Sequence, residues 1–336
     1  MYNTILTNYN NISFNGLFSS RKMKENKPSF DVNIKKRINN LAAGFVTTSA
    51  ICNKAEVEKN RYESIISHEP FFKEKGKITW EAYNRVKENS PELILKAKRY
   101  TYEMLKSTKT YTSPDKVARL VQALNKKISN DVKIISIGTS PSFITEPMSE
   151  TGKDVTIVPI SNANLCRGFS SLHDYFEYYP NLKLVGEYLK YKGITKDEIK
   201  DRNVIILDYS SSGRTLQIVK RLVNEYCGIP DENIQLKDIS ELIEETINTN
   251  TTLSDVSSEK IKKDIFNQKV EKTTNVAHFS IFNDRYNRKE KDSISARKKE
   301  KTELFKEFDD FSKPSARAYQ LCVLDEISKI NEKEKF

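Results

Sequence analysis

With 336 residues, 37% of them hydrophobic and 30% charged, the chain fits one large domain or two smaller ones and is a polar chain rather than a membrane-embedded one. A formal net charge of +10 allows attraction to phosphorylated ligands, nucleic acid or acidic surfaces, and describes equally well lysine-rich helices that are simply solvated. Cys52, Cys166, Cys227 and Cys322 form no CxxC pair and His68, His173 and His278 have no ligand spacing, which argues against zinc and fits a reducing compartment; no run approaches the length of a membrane span.

In chain order, residues 1–30 are rich in Asn and Ser, poor in acids and aperiodic, and read as a disordered tail. Their composition resembles the unstructured export signals of bacterial type III effectors. The expected location is therefore cytoplasmic, or secreted without a cleaved signal peptide. The apolar stretch 41–51 begins too late and holds too many Ser and Thr for a signal peptide, and reads as a short buried helix.

A helical extension is expected over 31–110. Trp80 and Tyr83 read as core anchors. Ser90-Pro91 gives an N-cap followed by proline at the first helical position, and Ile94, Ala97, Thr101, Met104 and Leu105 then share a face. An α/β core is expected over 111–285. Ser113-Pro114 repeats the start signal, and Val117, Leu120, Val121, Leu124 and Ile128 form an apolar stripe. A strand over 132–137 runs into the hydroxyl-rich loop Gly138-Thr139-Ser140-Pro141-Ser142. A helix over 143–150 and a strand over 155–160 complete a β-α-β unit with parallel strands.

Residues 161–180 are aromatic and irregular. Arg167 is a candidate flap residue there, and His173-Asp174 reads as a surface pair. A helix over 182–191 and a capping box at Thr195-x-x-Glu198 follow. A strand over 204–207 comes next, then a helix with the stripe Leu216, Val219, Leu222, Val223 and Tyr226, ended by Gly228. Residues 234–239 read as a fourth strand, 241–272 as helix plus mobile loop, and 276–282 as a fifth strand, with Asp284-Arg285 just past it. Residues 286–336 read as a basic linker and two helices, 303–311 and 316–330. The run 285–301 holds eight basic residues against three acids, but Tyr286 is its sole aromatic, so base stacking has little support and a solvated linker is favoured over nucleic-acid binding. The fold expected is an open, mainly parallel five-stranded sheet flanked by helices, with the helical extension in front.

The stretch 203–216, NVIILDYSSSGRTL, carries the chemistry. Four apolar residues run into Asp208 and Tyr209. The hydroxyls of Ser210, Ser211 and Ser212 follow, then Gly213, Arg214 and Thr215 at a helix start. Small residues let backbone N–H groups crowd around an anion, and the helix end adds partial positive charge. An acid at a strand's carboxyl end can accept from sugar hydroxyls or hold a metal. Gly138, Thr139 and Ser140 form a second loop of this kind, and in an open parallel sheet both would lie at the ligand-binding edge.

The stretch resembles the phosphoribosyl-pyrophosphate (PRPP) motif of type I phosphoribosyltransferases. In that family four apolar residues precede two acids, and a short run ends in Thr-Gly-x-Thr. Ser212-Gly213-Arg214-Thr215 matches the phosphate cradle. Tyr209 stands where the second acid would be, and the loop is one residue shorter. The resemblance implies that Thr139 and Ser140 meet pyrophosphate and that Ser211 through Thr215 hold the 5′-phosphate. Asp208 would hold the ribose hydroxyls, with Tyr209 offering one hydroxyl in place of the second acid. It implies Mg2+ as cofactor, a phosphorylated sugar or nucleotide as ligand, and phosphoribosyl transfer to an acceptor that is not legible. With only serine in the loop, a purine-salvage role has no support. The alternative is a non-catalytic phosphate-ligand-binding or scaffold protein on the same fold, acting as a secreted effector.

Overall fold

The computed structural model describes residues 62–334 except 162, 164–167, 169, 210–212, 278 and 281–299. The tail at 1–30, the stretch 41–51, Arg167, Ser210, Ser211, Ser212, Asp284-Arg285 and most of the basic run therefore lie outside the described residues.

β-branched runs give the strands β1 (Lys133–Ile137), β2 (Val155–Val158) and β4 (Val204–Asp208), and pairing adds the less branched β3 (Ile160–Ser161), β5 (Ile234–Asp238) and β6 (Phe279–Ser280). Four of them form one parallel sheet in the order β2-β1-β4-β5. The helices used below are α1 (Pro91–Thr108), α2 (Pro114–Lys127), α3 (Thr139–Glu150), α4 (Pro180–Tyr191), α5 (Arg214–Arg221), α6 (Ile239–Asn248), α7 (Lys301–Asp310) and α8 (Pro314–Lys333).

β1 is buried on both faces, as a central parallel strand must be. Its alternation splits the core in two. Ile134 and, from β4, Leu207 pack with α2, α3, α6 and α8. Ile135, Ile137, Val204 and Ile206 pack with α4, α5 and α7 on the other face. The first cluster also takes in Tyr62, Phe72, Tyr83 and Met104, so the helices before the sheet share a core with the sheet and with the last helix.

α8 is buried around most of its circumference and acts as the spine of that cluster. Its Arg317 is one of the largest fully buried side chains. The guanidinium donates to the carbonyls of Phe71 (3.0 Å) and Gly76 (2.8 Å) and to Glu74 Oε2 (2.8 Å), and lies over the Phe71 ring. Burial draws its pKa down, and Glu74 opposes this.

Three expectations need correction. Among the described residues the main sheet has four strands, where five were expected: of the run 276–282 only Phe279–Ser280 is a described strand, and it pairs with β3 in a separate two-stranded ladder. Pro159 faces the outer edge of β2, where it has no N–H to offer a partner strand, and its carbonyl accepts from the Phe279 N–H (3.0 Å) where the second ladder begins. The helix after β1 starts at Thr139 rather than 143, because Gly138 (φ 65°, ψ −158°) turns the chain directly from strand to helix, and the hydroxyl-rich loop is the first helical turn. Residues 161–180 are not wholly irregular, since Leu172–Tyr178 is helical and capped by the Ser171 side chain.

The start signals divide. Ser90 and Ser113 occupy N-cap positions but make no side-chain cap, so proline at the first position carries the signal. Thr195 does accept from the Glu198 N–H, at 3.4 Å.

Arg317→Met keeps the aliphatic volume and leaves the Phe71 and Gly76 carbonyls without their donor. A loss of about 3 kcal/mol is expected, read as a lower urea midpoint at unchanged slope.

Candidate functional site

β2 and β5 lie on opposite sides of the β1–β4 pair. Right-handed crossovers then place α3 and α5 on opposite faces, and the two core clusters divide them in that way. The chain therefore leaves the carboxyl ends of β1 and β4 in opposite directions, and a crevice opens between them. In open parallel sheets this reversal of winding is where ligands bind.

Both glycine-containing segments reach this edge. Ser136 pairs with Leu207, so one step on Ile137 lies beside Asp208, and Gly138 follows beside Tyr209. Neighbouring strands are about 4.8 Å apart. Gly138 cannot be replaced without strain, since its φ is positive and an added Cβ would meet the Ile160 carbonyl oxygen at 3.1 Å. Thr139 and Ser140 are half-buried in the first turn of α3. Behind them Ser142 donates to the Gly138 carbonyl, and Ser136 Oγ and Thr145 Oγ1 share a hydrogen bond of 2.7 Å. Gly213, left-handed at φ 65°, is the N-cap of α5. Thr215 is buried in the first turn and Arg214 is exposed.

Asp208 is the distinctive group. Alternation with Val204 and Ile206 puts its carboxyl on the α5 face, where it is 8% exposed. The Tyr209 N–H donates to Oδ1 at 2.8 Å. Burial pushes the carboxyl up to about 7; that N–H opposes the rise, and the charge of Asp238 adds to it.

Asp238 is a site residue that the motif did not reveal. It ends β5 directly opposite Asp208 in the ladder, and its Oδ1 caps α6 by accepting from the Ser240 N–H (2.7 Å) and hydroxyl. The signal was present in the sequence: the strands read VIILD and IQLKD, each ending in an acid at the same register. Tyr209 behaves differently from its neighbour. Its ring packs against the core cluster on the opposite face from Asp208. His173 is exposed on the helix Leu172–Tyr178, away from β1 and β4 in sequence and sheet order.

Among the described residues no three His, Cys, Asp or Glu side chains gather as a metal site. The Asp208–Asp238 pair fits Mg2+ only in its common mode, in which one or two carboxylates supplement phosphate oxygens brought by the ligand. No helix among the described residues is long and apolar enough to cross a membrane. Comparison with family models, with curated proteins and with solved structures returns no match.

Asp208 gives a signed pH prediction. Its native pKa lies above its ordinary value of 3.8, so the native state holds a proton that the unfolded chain has already lost. Stability then falls as pH rises from about 4 to about 7, and above that the charged group is destabilising. Asp208→Asn is expected to change stability little at pH 4 and to raise it at pH 8 by up to about 4 kcal/mol. Urea denaturation of both proteins at the two pH values measures this; an equal difference at both would contradict it.

Proposed function

We propose that the chain binds a phosphorylated pentose of the PRPP class in the β1–β4 crevice and transfers the sugar to an acceptor. The observation that carries the reading is the convergence, at one carboxyl edge, of two glycine-led helix starts and a buried acid. The N–H groups and hydroxyls at Thr139 and Ser140 suit a pyrophosphate, because they stand at the positive end of α3. The N-terminus of α5 at Gly213, Arg214 and Thr215, with Ser211 and Ser212 just before it in sequence, suits a 5′-phosphate. Asp208 and Asp238 supply two acceptors for ribose hydroxyls, drawn from adjacent strands rather than from adjacent residues.

Sugar transfer from such a donor needs little acid–base work from the protein. Preorganised N–H donors at the two helix starts stabilise charge on the departing pyrophosphate and need no reorganisation as it forms. Asp208, once ionised, stabilises positive charge developing on the sugar ring. Mg2+, when bound with the diphosphate, supplies further neutralisation of the leaving group.

One observation favours a second reading, binding without transfer. The residue after Asp208 turns its side chain into the core instead of presenting a second acid, and Asp208 itself is buried. A protein of this kind would use the pocket to sense or scaffold, as a secreted effector with an N-terminal tail like residues 1–30 would.

Calorimetry with PRPP and with ribose 5-phosphate, each with Mg2+, tests both readings. Saturable binding is expected for the wild type, with affinity at least about tenfold weaker in Asp208→Ala. Pyrophosphate release with any member of an acceptor panel supports transfer, and binding without release supports the second reading. Absence of binding by either sugar phosphate contradicts both.

A further inference from the structure

A cavity of ≈ 240 Å³ lies beyond the outer edge of β2, with β1 between it and the β4 side of the crevice. The carbonyls of Asp154 and Val158 accept from the N–H groups of Ile134 (2.9 Å) and Gly138 (2.8 Å). Alternation therefore turns the peptide groups of Val155 and Ile157 away from β1, toward the cavity they line. Val276 and Ala277 line its far side. The two segments join where Phe279 donates to Pro159, and among the described residues no hydrogen bond connects Val155 or Ile157 with Val276 or Ala277. The cavity thus sits in a fork with outward-facing peptide groups along one prong.

Its lining includes charged groups. At one end Lys192 Nζ lies 3.1 Å from Asp309 Oδ1, which also accepts from the Tyr188 hydroxyl at 2.8 Å; Lys192 and Asp309 are half-buried. At the other end Lys77 pairs with Glu150 (2.7 Å). Beside it Glu146, 2% exposed, accepts from the Asn275 N–H (2.9 Å) and from Gln320. Burial pushes Glu146 up to about 8, so it adds little charge at neutral pH. The Lys192–Asp309 end thus carries one cation and one anion, while Glu150 lies outside the lining, and Val155, Ile157, Phe308 and Phe311 add apolar side chains.

At the Lys192–Asp309 end a net anion or a net cation would find no surplus of opposite charge. A zwitterion with adjacent charges matches the side-by-side Lys192–Asp309 pair, and an apolar group on the same carbon matches the walls. We propose that the fork at the outer edge of β2 binds a free α-amino acid with an apolar side chain. Its carboxylate faces Lys192, its ammonium faces Asp309, and its side chain lies against Phe308 and Phe311. This site is independent of the sugar-phosphate reading.

Calorimetry on the full chain tests the proposal with L-leucine, L-phenylalanine, N-acetyl-L-leucine and L-leucinamide. The acetylated probe lacks the ammonium and the amide lacks the carboxylate. Saturable binding of at least one free amino acid is expected, weakened by about tenfold or more in either blocked analogue and in Lys192→Met, a half-buried position whose loss leaves the core intact. The proposal is overturned by any of three results: no saturable binding by either free amino acid, blocked analogues that bind as tightly, or unchanged affinity in Lys192→Met.

Discussion

The parallel pairing of β1 with β4 is the constraint on which the rest of this structure depends. These two strands follow one another in the sheet but are separated in the chain by β2, β3 and the aromatic segment. Each sends its crossover to a different side, so both faces of the central pair must be covered. The two core clusters answer that demand. α8, the last helix in sequence, packs on one face and is tied to the start of the described chain through Arg317. The same reversal of winding leaves a crevice at the carboxyl edge, and what the chain places there is two helix starts and two acids.

The two edges of the sheet are built on different electrostatic terms. At the amino edge, Lys133 and Arg202 meet Asp154 at 2.6 and 2.9 Å, and Lys153 donates to the Ile128 carbonyl and to Asn130. Burial works to raise the Asp154 pKa, and the two cations outweigh it, so this acid titrates below its ordinary value. At the carboxyl edge Asp208 is more deeply buried, its strand neighbour is another acid, and among the described residues no cation is one of the groups that set its pKa. The first arrangement stabilises the fold. The second costs stability at neutral pH.

Much of the sheet could be read from local signals. Apolar runs ending at Gly138 and Asp208 gave β1 and β4, and the stripe Leu216–Val219–Leu222–Val223 gave the crossover helix region. What escaped was set by non-local pairing or by single backbone conformations. Asp238 becomes a neighbour of Asp208 only through the β4–β5 register, which no local window contains. The early start of α3 depends on one positive φ at Gly138. Of the fifth strand only Phe279–Ser280 is described, and it pairs with β3 past Pro159, which has no N–H to offer on that edge. Glu146 is buried in the middle of α3 by Asn275 and Gln320, which come from distant segments.

The central claim is that the β1–β4 crevice is the sugar-phosphate site. Backbone amide shifts in transverse-relaxation-optimised NMR spectra, followed as PRPP and Mg2+ are added, test it most directly. The account expects the largest shifts at Gly138, Thr139, Gly213 and Thr215, the amides at the two helix starts. Shifts confined to other parts of the chain, with these four unmoved at saturation, would contradict it.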